Sequence, residues 1–434
     1  MLDSNVETRS QDSSHPTTEW GGSCFLPGWA ALRTGPSLAW LRHSRYLPAM
    51  LGLGERSWPL VATCSRGLEE VLADELRALG ASTVAAGRGM VSFSGGIETV
   101  IDANLQLRTA MRVLMSLVRG QVNDRGGLYD LTASVPWEEA LSERQSFLVE
   151  VAGRARAFRD SSFAARVVKD AVVDRLRRVH GARPDVDRDS PDIRLHLHLS
   201  DGASTLAVDS SGEPLSQRGY RPRGGPAPLN ESLAAGILLL AGYDGSQPLI
   251  DPMCGTGTFA VEAALIATRT PPSLLREFAF EHWPGHDRER YQEIIRRIAH
   301  ARRDAPAPII AQDRDERAVQ ATRRNLKAAG MDRWAEVRPG DVRELALPWG
   351  EGGMVVMNPP YGKRLGDVKK LGGLYRRIGD ALKQRAPGAT AWILVGDREL
   401  AKQIGLHPAR RIPLFNGPIE CRLLCFELYE GARD

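Results

Sequence analysis

Two short stretches hold residue types whose order and spacing can do chemistry. The first, from Leu249 to Thr258, reads LIDPMCGTGT: an apolar run that closes on Asp251 and Pro252, followed by Cys254, Gly255, Gly257 and Thr258. A buried strand that ends in a glycine-rich turn and opens a helix lets backbone amides approach a ligand closely. The plainer alternative is a tight strand-to-helix turn with no ligand. A dinucleotide site fits less well: the full G-x-G-x-x-G is missing, and the next acidic strand end comes roughly 60 residues later instead of the usual ~20. The second stretch runs from Met354 to Gly362 and reads MVVMNPPYG. A buried strand there ends in Asn358, held by Pro359 and Pro360, so that the Asn358 carboxamide oxygen and the Pro359 carbonyl aim at one spot. Two converging acceptors suit the two hydrogens of an exocyclic amino group, and Tyr361 offers a face for a base to stack on. The bland alternative is a proline-rich loop.

Two acidic strand ends lie between these stretches. Ile309 to Asp313 reads IIAQD and continues with Arg314 and Asp315. A carboxylate at that position accepts both hydroxyls of a ribose, which is the reading for Asp313, while Asp315 is placed to cap the next helix. Taken alone, both could be helix caps. Asp341 ends the next strand, where a side-chain acceptor reaches an adenine amino group; by itself this is a weak signal.

The elements that must position these residues emerge from hydrophobic spacing. A strand at 60–63 leads into a helix with Leu68, Leu72, Leu76 and Leu79 on one face, stopped by Gly80. Strands near 81–86 and 89–94, a helix near 97–107 and a strand near 109–118 complete a ferredoxin-like β-α-β-β-α-β order. A second small α/β unit comes next: a helix near 127–134, a strand at 146–151, a helix at 161–179 and strands at 192–199 and 203–209. The Gly- and Pro-rich segment 212–228 reads as a linker. Beyond it, helices at 230–241, 257–268, 316–329 and 371–385 alternate with strands at 248–251, 308–312, 335–338, 353–357 and 389–395, and two strands end the chain. This is a doubly wound, mostly parallel sheet. The interval around Pro271-Pro272 and Trp283-Pro284-Gly285 behaves as an insertion.

The 434 residues suit two or three domains. With 42% apolar and 25% charged residues and no apolar run of the ~18 residues a membrane helix needs, a membrane protein is excluded. Five scattered cysteines without a CxxC pair support neither a disulfide framework nor a cysteine zinc site, so no metal is expected and the cytoplasm is the expected compartment. Residues 1–57 are rich in Ser, Thr, Gly and Pro and lack periodicity, so a disordered extension is expected there. Asp3, Glu7 and Asp12 oppose a secretory signal, and Met50 is an alternative start.

The stretch from Asp251 to Thr258, together with Asn358-Pro-Pro-Tyr361, resembles the S-adenosylmethionine-dependent amino-methyltransferases. The wider frame is similar to the THUMP-domain RlmL-like family, which methylates guanine N2 in 23S ribosomal RNA. That frame comprises Ala62 to Glu70 (ATCSRGLEE), Leu215 to Arg221 (LSQRGYR) and Ala227 to Ala235 (APLNESLAA), and the likeness spans about residues 58–430. It implies an α/β fold, with a C-terminal Rossmann-like methyltransferase sheet (229–434) preceded by a ferredoxin-like unit (58–120), a THUMP RNA-binding unit (121–212) and a linker (213–228). By matching position it puts Asn230, Asp251, Pro252, Cys254, Gly255, Gly257 and Thr258 around the methionine end of the cofactor. Asp313 with Arg314 falls at the ribose, Asp341 at the adenine, and Asn358, Pro359 and Tyr361 at the target base. Longer fused members carry a second methyltransferase domain; the end at Asp434 implies a single modification.

RNA capture is expected from Arg154, Arg156, Arg159, Arg166, Lys169, Arg175, Arg177 and Arg178. Against Asp160, Asp170 and Asp174 they give 8 − 3 = +5. On charge alone a solvated helix face explains the cluster equally well. Arg218 and Arg221 in the linker are expected to add a second basic group near the active-site mouth. The leading reading is an RNA guanine-N2 methyltransferase. The alternatives are a tRNA guanine-N2 or an adenine-N6 methyltransferase, or a non-catalytic RNA-binding ribosome-assembly factor.

Overall fold

The computed structural model describes residues 57–429 except 142–144, 182–186, 188–190, 223–228, 284–285 and 362–367. The N-terminal stretch expected to be disordered lies, up to residue 56, outside the described residues.

The first unit is β1 (Trp58–Cys64), α1 (Glu69–Ala78), β2 (Ser82–Gly87), β3 (Met90–Gly95), α2 (Ile97–Gln106) and β4 (Ala110–Gly120). Its strand order, β2-β3-β1-β4, is the ferredoxin-like one. The second is α3 (Arg125–Ala133), α4 (Trp137–Ala140), β5 (Phe147–Arg154), α5 (Ser161–His180), β6 (Ile193–Ser200) and β7 (Ser204–Asp209). Helix α5 starts where the Asp160 side chain accepts from Ser162 N–H, buries Ala164, Val167, Val168, Ala171, Val172 and Leu176, and ends at Gly181 in the left-handed region. Strand β6 alternates Ile193, Leu195, Leu197 and Leu199 inward with half-buried residues between them. The two units share more than adjacency. β4 pairs antiparallel with β7 from Leu114↔Asp209 to Gly120↔Ser204, so one seven-stranded sheet, β2-β3-β1-β4-β7-β6-β5, runs through both.

The C-terminal sheet contains β8 (Leu249–Asp251), β9 (Ile309–Asp313), β10 (Glu336–Pro339), β11 (Met354–Met357), β12 (Thr390–Val395), β13 (Arg410–Asn416) and β14 (Ile419–Glu427). Its order is β10-β9-β8-β11-β12-β14-β13, parallel from β10 to β12, with β14 antiparallel to its neighbours. Helices α6 (Glu231–Leu240), α7 (Thr258–Ala267) and α9 (Glu316–Ala328) contribute to the core on one face, and α10 (Val368–Arg385) and α11 (Arg398–Lys402) to that on the other. The order reverses between β8 and β11, and in such a sheet ligands bind in the crevice beyond the strand ends at the reversal. Asp251 ends β8 and Asn358 comes directly after β11, so the two chemical stretches meet there.

The insertion between α7 and β9 holds α8 (Arg288–His300). Its buried Tyr291, Ile294 and Ile298 join Phe278, Phe280 and Trp283 in the core of the N-terminal sheet. Arg290 and Arg297 pair with Glu98 and Asp102 of α2 at 2.7 and 2.6 Å. The linker is also packed: Leu215, Arg218 and Tyr220 are buried.

Candidate active site

The glycine-rich turn is held from beneath. Cys254 N–H donates to the Gln312 carbonyl at 2.9 Å, and Gly257 N–H to the Cys254 carbonyl at 2.8 Å. From α9, the Thr322 hydroxyl donates to the Gly255 carbonyl at 3.0 Å and the Asn325 amide to the Thr256 carbonyl at 2.8 Å. Gly255 and Gly257 both adopt positive φ, +56° and +80°. A Cβ on Gly255 would project into open space, whereas one on Gly257 would lie 2.5 Å from the Thr322 methyl. The turn therefore presents an open backbone surface at Gly255 and a closed one at Gly257.

Asp313 accepts from Gly255 N–H at 2.9 Å through one oxygen and from Asp315 N–H at 2.9 Å through the other, so its carboxylate is fixed in orientation beside the turn. Each oxygen keeps a lone pair for a further donor. Asp251 is buried and accepts from Met253 N–H at 3.1 Å. Burial, reinforced by the charge of Asp313, raises its carboxyl well above the ordinary carboxylate range. Pro252 is buried beside it, and the Cys254 thiol, raised chiefly by burial, stays neutral. Asp341 caps a short 3-10 turn and pairs with Arg343 at 2.9 Å, which holds its carboxyl below the usual range. Arg314 is exposed.

At the end of β11, Asn358 is half-buried and its Oδ1 atom is buried without a hydrogen-bond partner. Pro359 is buried behind it. The Tyr361 phenol accepts from Asn416 Nδ2 at 3.0 Å and burial raises its pKa. Its ring lies against Gly396, where a Cβ would collide with it. The Cδ2 and Cε2 side of the Tyr361 ring is thus packed against the residue that follows β12. The Thr256 hydroxyl oxygen is a second buried, unpartnered polar atom, here in the turn itself.

Several assignments change. Arg218 is 1% exposed, pairs with the buried Glu262 at 3.3 Å and donates to the Leu215 carbonyl at 2.8 Å. It cannot reach an RNA phosphate. Arg221 donates to Thr258 Oγ1 at 2.6 Å and pairs with Glu231 at 3.3 Å, tying the first turn of α6 to that of α7. Its role is to anchor the turn, with the Thr258 hydroxyl oxygen as the acceptor. Asn230 caps α6 by accepting from Leu233 N–H at 3.2 Å. Arg175 is bidentate on Glu138 at 2.6 and 2.7 Å and donates to the Ala133 carbonyl, which binds α5 to α4 instead of leaving it for RNA. Of the rest of that cluster, Arg156, Arg166 and Arg177 make exposed ion pairs with Asp201, Asp160 and Asp174, while Arg154, Arg159 and Arg178 are exposed and Lys169 is half-buried.

Sequence reading misses Thr322, Asn325, Asn416 and Gly396. A visible signal exists for the first two, polar residues at i and i+3 on a helix face that also carries Val319 and Leu326. Among the described residues, no group of His, Cys, Asp or Glu side chains is arranged to hold a metal, and no helix is long and apolar enough to cross a membrane.

Comparison with known proteins gives three consecutive domain matches: an RlmL ferredoxin-like domain over 59–114, a THUMP domain over 125–209 and an RMKL-like methyltransferase domain over 218–424. A curated relative from Syntrophotalea carbinolica, ribosomal RNA large subunit methyltransferase K/L, is 42% identical over 381 residues, covering 85% of this chain and 53% of the relative. The chain thus spans about half the length of the curated relatives it matches. Among solved structures, SMU.472 complexed with SAH is 27% identical with a TM-score of 0.79, covering 88% of this chain and all of that one. A Listeria monocytogenes protein described as a predicted N6-adenine-specific DNA methylase is 27% identical with a TM-score of 0.78, covering 88% of this chain and 99% of its own. With these three domains in that order on one chain, the protein belongs to the RlmL-like family of THUMP-containing methyltransferases.

Proposed function

We propose that the protein transfers a methyl group from S-adenosylmethionine to the exocyclic N2 amino group of a guanine in RNA, with 23S ribosomal RNA as the substrate and the cytoplasm as the place of work. The observation that carries this is the buried, unpartnered Asn358 Oδ1 at the reversal of the sheet. A buried acceptor without a partner costs about 1–3 kcal/mol, a cost a bound donor removes. The cofactor fits the residues present. Gly255 leaves open space above the turn, Asp313 presents an oriented carboxylate for the ribose hydroxyls, and Thr256 has a free hydroxyl oxygen. Asp251, Cys254, Gly255, Gly257 and Thr258 would surround the methionine end, with Asn230 bearing on it through its cap of α6. Asp341 would lie at the adenine, its carboxylate already shared with Arg343.

When bound, the cofactor supplies an electrophilic methyl on a sulfonium leaving group. What the chain must do is align the amine. An aromatic amino nitrogen is a poor nucleophile because its lone pair is delocalised into the ring. Asn358 Oδ1 and the Pro359 carbonyl accept its two hydrogens and favour the tetrahedral nitrogen whose lone pair points at the methyl; the nitrogen that has gained the methyl is cationic and would then lose one of those two hydrogens as a proton to solvent. The two prolines fix these acceptors before the base arrives, so little reorganisation is left at the moment of transfer. Tyr361, its ring packed against Gly396, would hold the base that has left its stack. The second reading, methylation of adenine N6, draws on the same Asn358 geometry and on the Listeria relative's description. Incubation with labelled S-adenosylmethionine and separately purified 23S, 16S and transfer RNAs, with nucleoside mapping of the product, is expected to yield N2-methylguanosine in 23S RNA alone. Label in N6-methyladenosine would establish the second reading, and no label in any RNA would overturn both.

A further inference from the structure

A cleft of about 730 Å³ opens beside the target-base site, between the end of β12, α11 with the segment after it, and the outer strands β13 and β14. Its size is within the roughly 300–1,000 Å³ of ligand-binding clefts. Val395, Leu424 and Phe426 are buried along it, while Arg398, Lys402, Arg411 and Arg422 supply cations against the carboxylates of Asp397 and Glu420, 4 − 2 = +2. The two carboxylates are occupied. Asp397 accepts from Glu399 and Leu400 N–H at 2.8 and 3.0 Å, and Glu420 lies 2.7 Å from Arg422 and 3.9 Å from Arg398. Exposed pairs of this kind are worth ~0–1 kcal/mol each, so a phosphate can take the guanidiniums from them.

The cleft and the candidate active site share one residue. Gly396 lines it and is also the residue against which the Tyr361 ring packs. A strand whose target base stacks on Tyr361 therefore has this cleft as its neighbouring surface. The linker arginines expected to serve that mouth, Arg218 and Arg221, are internal, so the cations near the base must come from elsewhere.

We propose that this cleft binds the single-stranded RNA flanking the target nucleotide, its phosphates on Arg398, Lys402, Arg411 and Arg422. The proposal rests on the RNA-methylation reading and adds where the substrate strand runs. Its test compares wild-type protein, the Arg398→Gln/Arg411→Gln variant and a control with equal charge loss on the insertion helix, Arg288→Gln/Arg296→Gln. All four arginines are exposed, and unchanged S-adenosylmethionine affinity and melting temperature check each fold. Affinity for deproteinised 23S RNA is measured against salt concentration, and methyl transfer against RNA concentration. The cleft variant is expected to raise KM for RNA severalfold, leave turnover at saturating RNA nearly intact, and flatten the log–log salt slope by about 1–2, since each lost phosphate contact removes roughly 0.7–0.9. A cleft variant matching the control in slope and KM, while the wild type methylates RNA, would overturn the cleft assignment and leave the function standing; a cleft that serves a protein partner would give that result. Wild-type protein that neither binds nor methylates any RNA would overturn both.

Discussion

Asn358 carries an acceptor that the fold buries and leaves without a partner, and the consequence is kinetic. If its oxygen meets the amino hydrogens most strongly as the nitrogen becomes tetrahedral, the interaction belongs to the transition state. Asn358→Ala is then expected to lower the single-turnover rate by two or more orders of magnitude while S-adenosylmethionine affinity changes little. A wild-type chemical rate in the variant would remove Asn358 from the reaction. Asp251 makes the complementary case for binding. Its raised carboxyl, caused by burial and then by Asp313, keeps a proton at pH values where an ordinary aspartate has lost it. A cationic methionine end bound nearby favours the charged form, so binding releases that proton. Affinity should rise with pH from the ordinary carboxylate range up to the raised pKa and level off above it. In the free protein the sign is opposite: the stability linked to this group is present at low pH and lost as pH rises through the folded pKa. Calorimetry in buffers of different ionisation enthalpy should detect the released proton in the wild type and a smaller release in Asp251→Asn. Equal release in both would assign the proton elsewhere.

The strand-to-helix elements around the site are legible in the sequence because each has its own local grammar. Spacing predicts α9 over 316–329 and the helix spans Glu316–Ala328, with Asp315 accepting from Arg317 N–H as its cap. It predicts α5 over 161–179, and the helix spans Ser161–His180. What stays hidden depends on partners distant in sequence. Helix α8 escapes assignment because its narrow stripe of Tyr291, Ile294 and Ile298 is completed only by the ferredoxin-like core and by Glu98 and Asp102. The joining of two units through β4 and β7 is a pairing across about 90 residues, which no local period announces. Linker composition misleads for the same reason: glycine and proline mark turns, yet buried partners decide whether Arg218 faces water. The turn itself supports a prediction at this scale. Gly257→Ala places a Cβ at φ +80° and 2.5 Å from the Thr322 methyl, so the turn must shift against α9. The left-handed conformation alone costs roughly 1–2 kcal/mol. We expect S-adenosylmethionine affinity to fall about tenfold or more with the fold retained. Adding Thr322→Ser, which removes the methyl and keeps the hydroxyl bonded to Gly255, should restore part of it. No recovery in the double variant would mean that strain at φ, and not the clash, limits the turn.

Across the whole molecule, the N-terminal sheet and the methyltransferase domain are mechanically joined by buried charge. Arg108, in the turn between the ferredoxin-like α2 and β4, donates to the Leu265 and Thr270 carbonyls of the methyltransferase domain at 3.1 and 2.9 Å. Arg218 spans the same junction by donating to the Arg108 carbonyl and pairing with Glu262 on α7. Arg276 from the insertion holds the linker through the Pro214 and Glu213 carbonyls at 2.6 and 2.5 Å. A THUMP unit sharing a sheet with the ferredoxin-like unit is thereby held in one register with the methyltransferase sheet, so if the chain methylates RNA as proposed, the junction would act as a ruler between an RNA feature and the target base. Breaking the buried pair tests this. Arg218→Met leaves the Glu262 carboxylate, 0% exposed, with Arg108 as a neighbouring cation and Glu231 as a like charge in its field. Removal of one partner from a buried pair costs ~3–5 kcal/mol, and the remaining guanidinium places the loss near the lower end, about 3 kcal/mol by urea denaturation. Replacing both partners, Arg218→Met with Glu262→Leu, should recover part of that stability, because the Glu262 carboxylate is no longer left without its partner while the buried Arg108 keeps Glu75 as its counter-charge. If the junction is a ruler, the double variant will still bind S-adenosylmethionine and RNA normally but methylate the target nucleotide more slowly, since the two halves are no longer registered by a charged clamp. A double variant with wild-type stability and wild-type rate would show that apolar packing alone sets the distance and that the ion pair contributes nothing to registration.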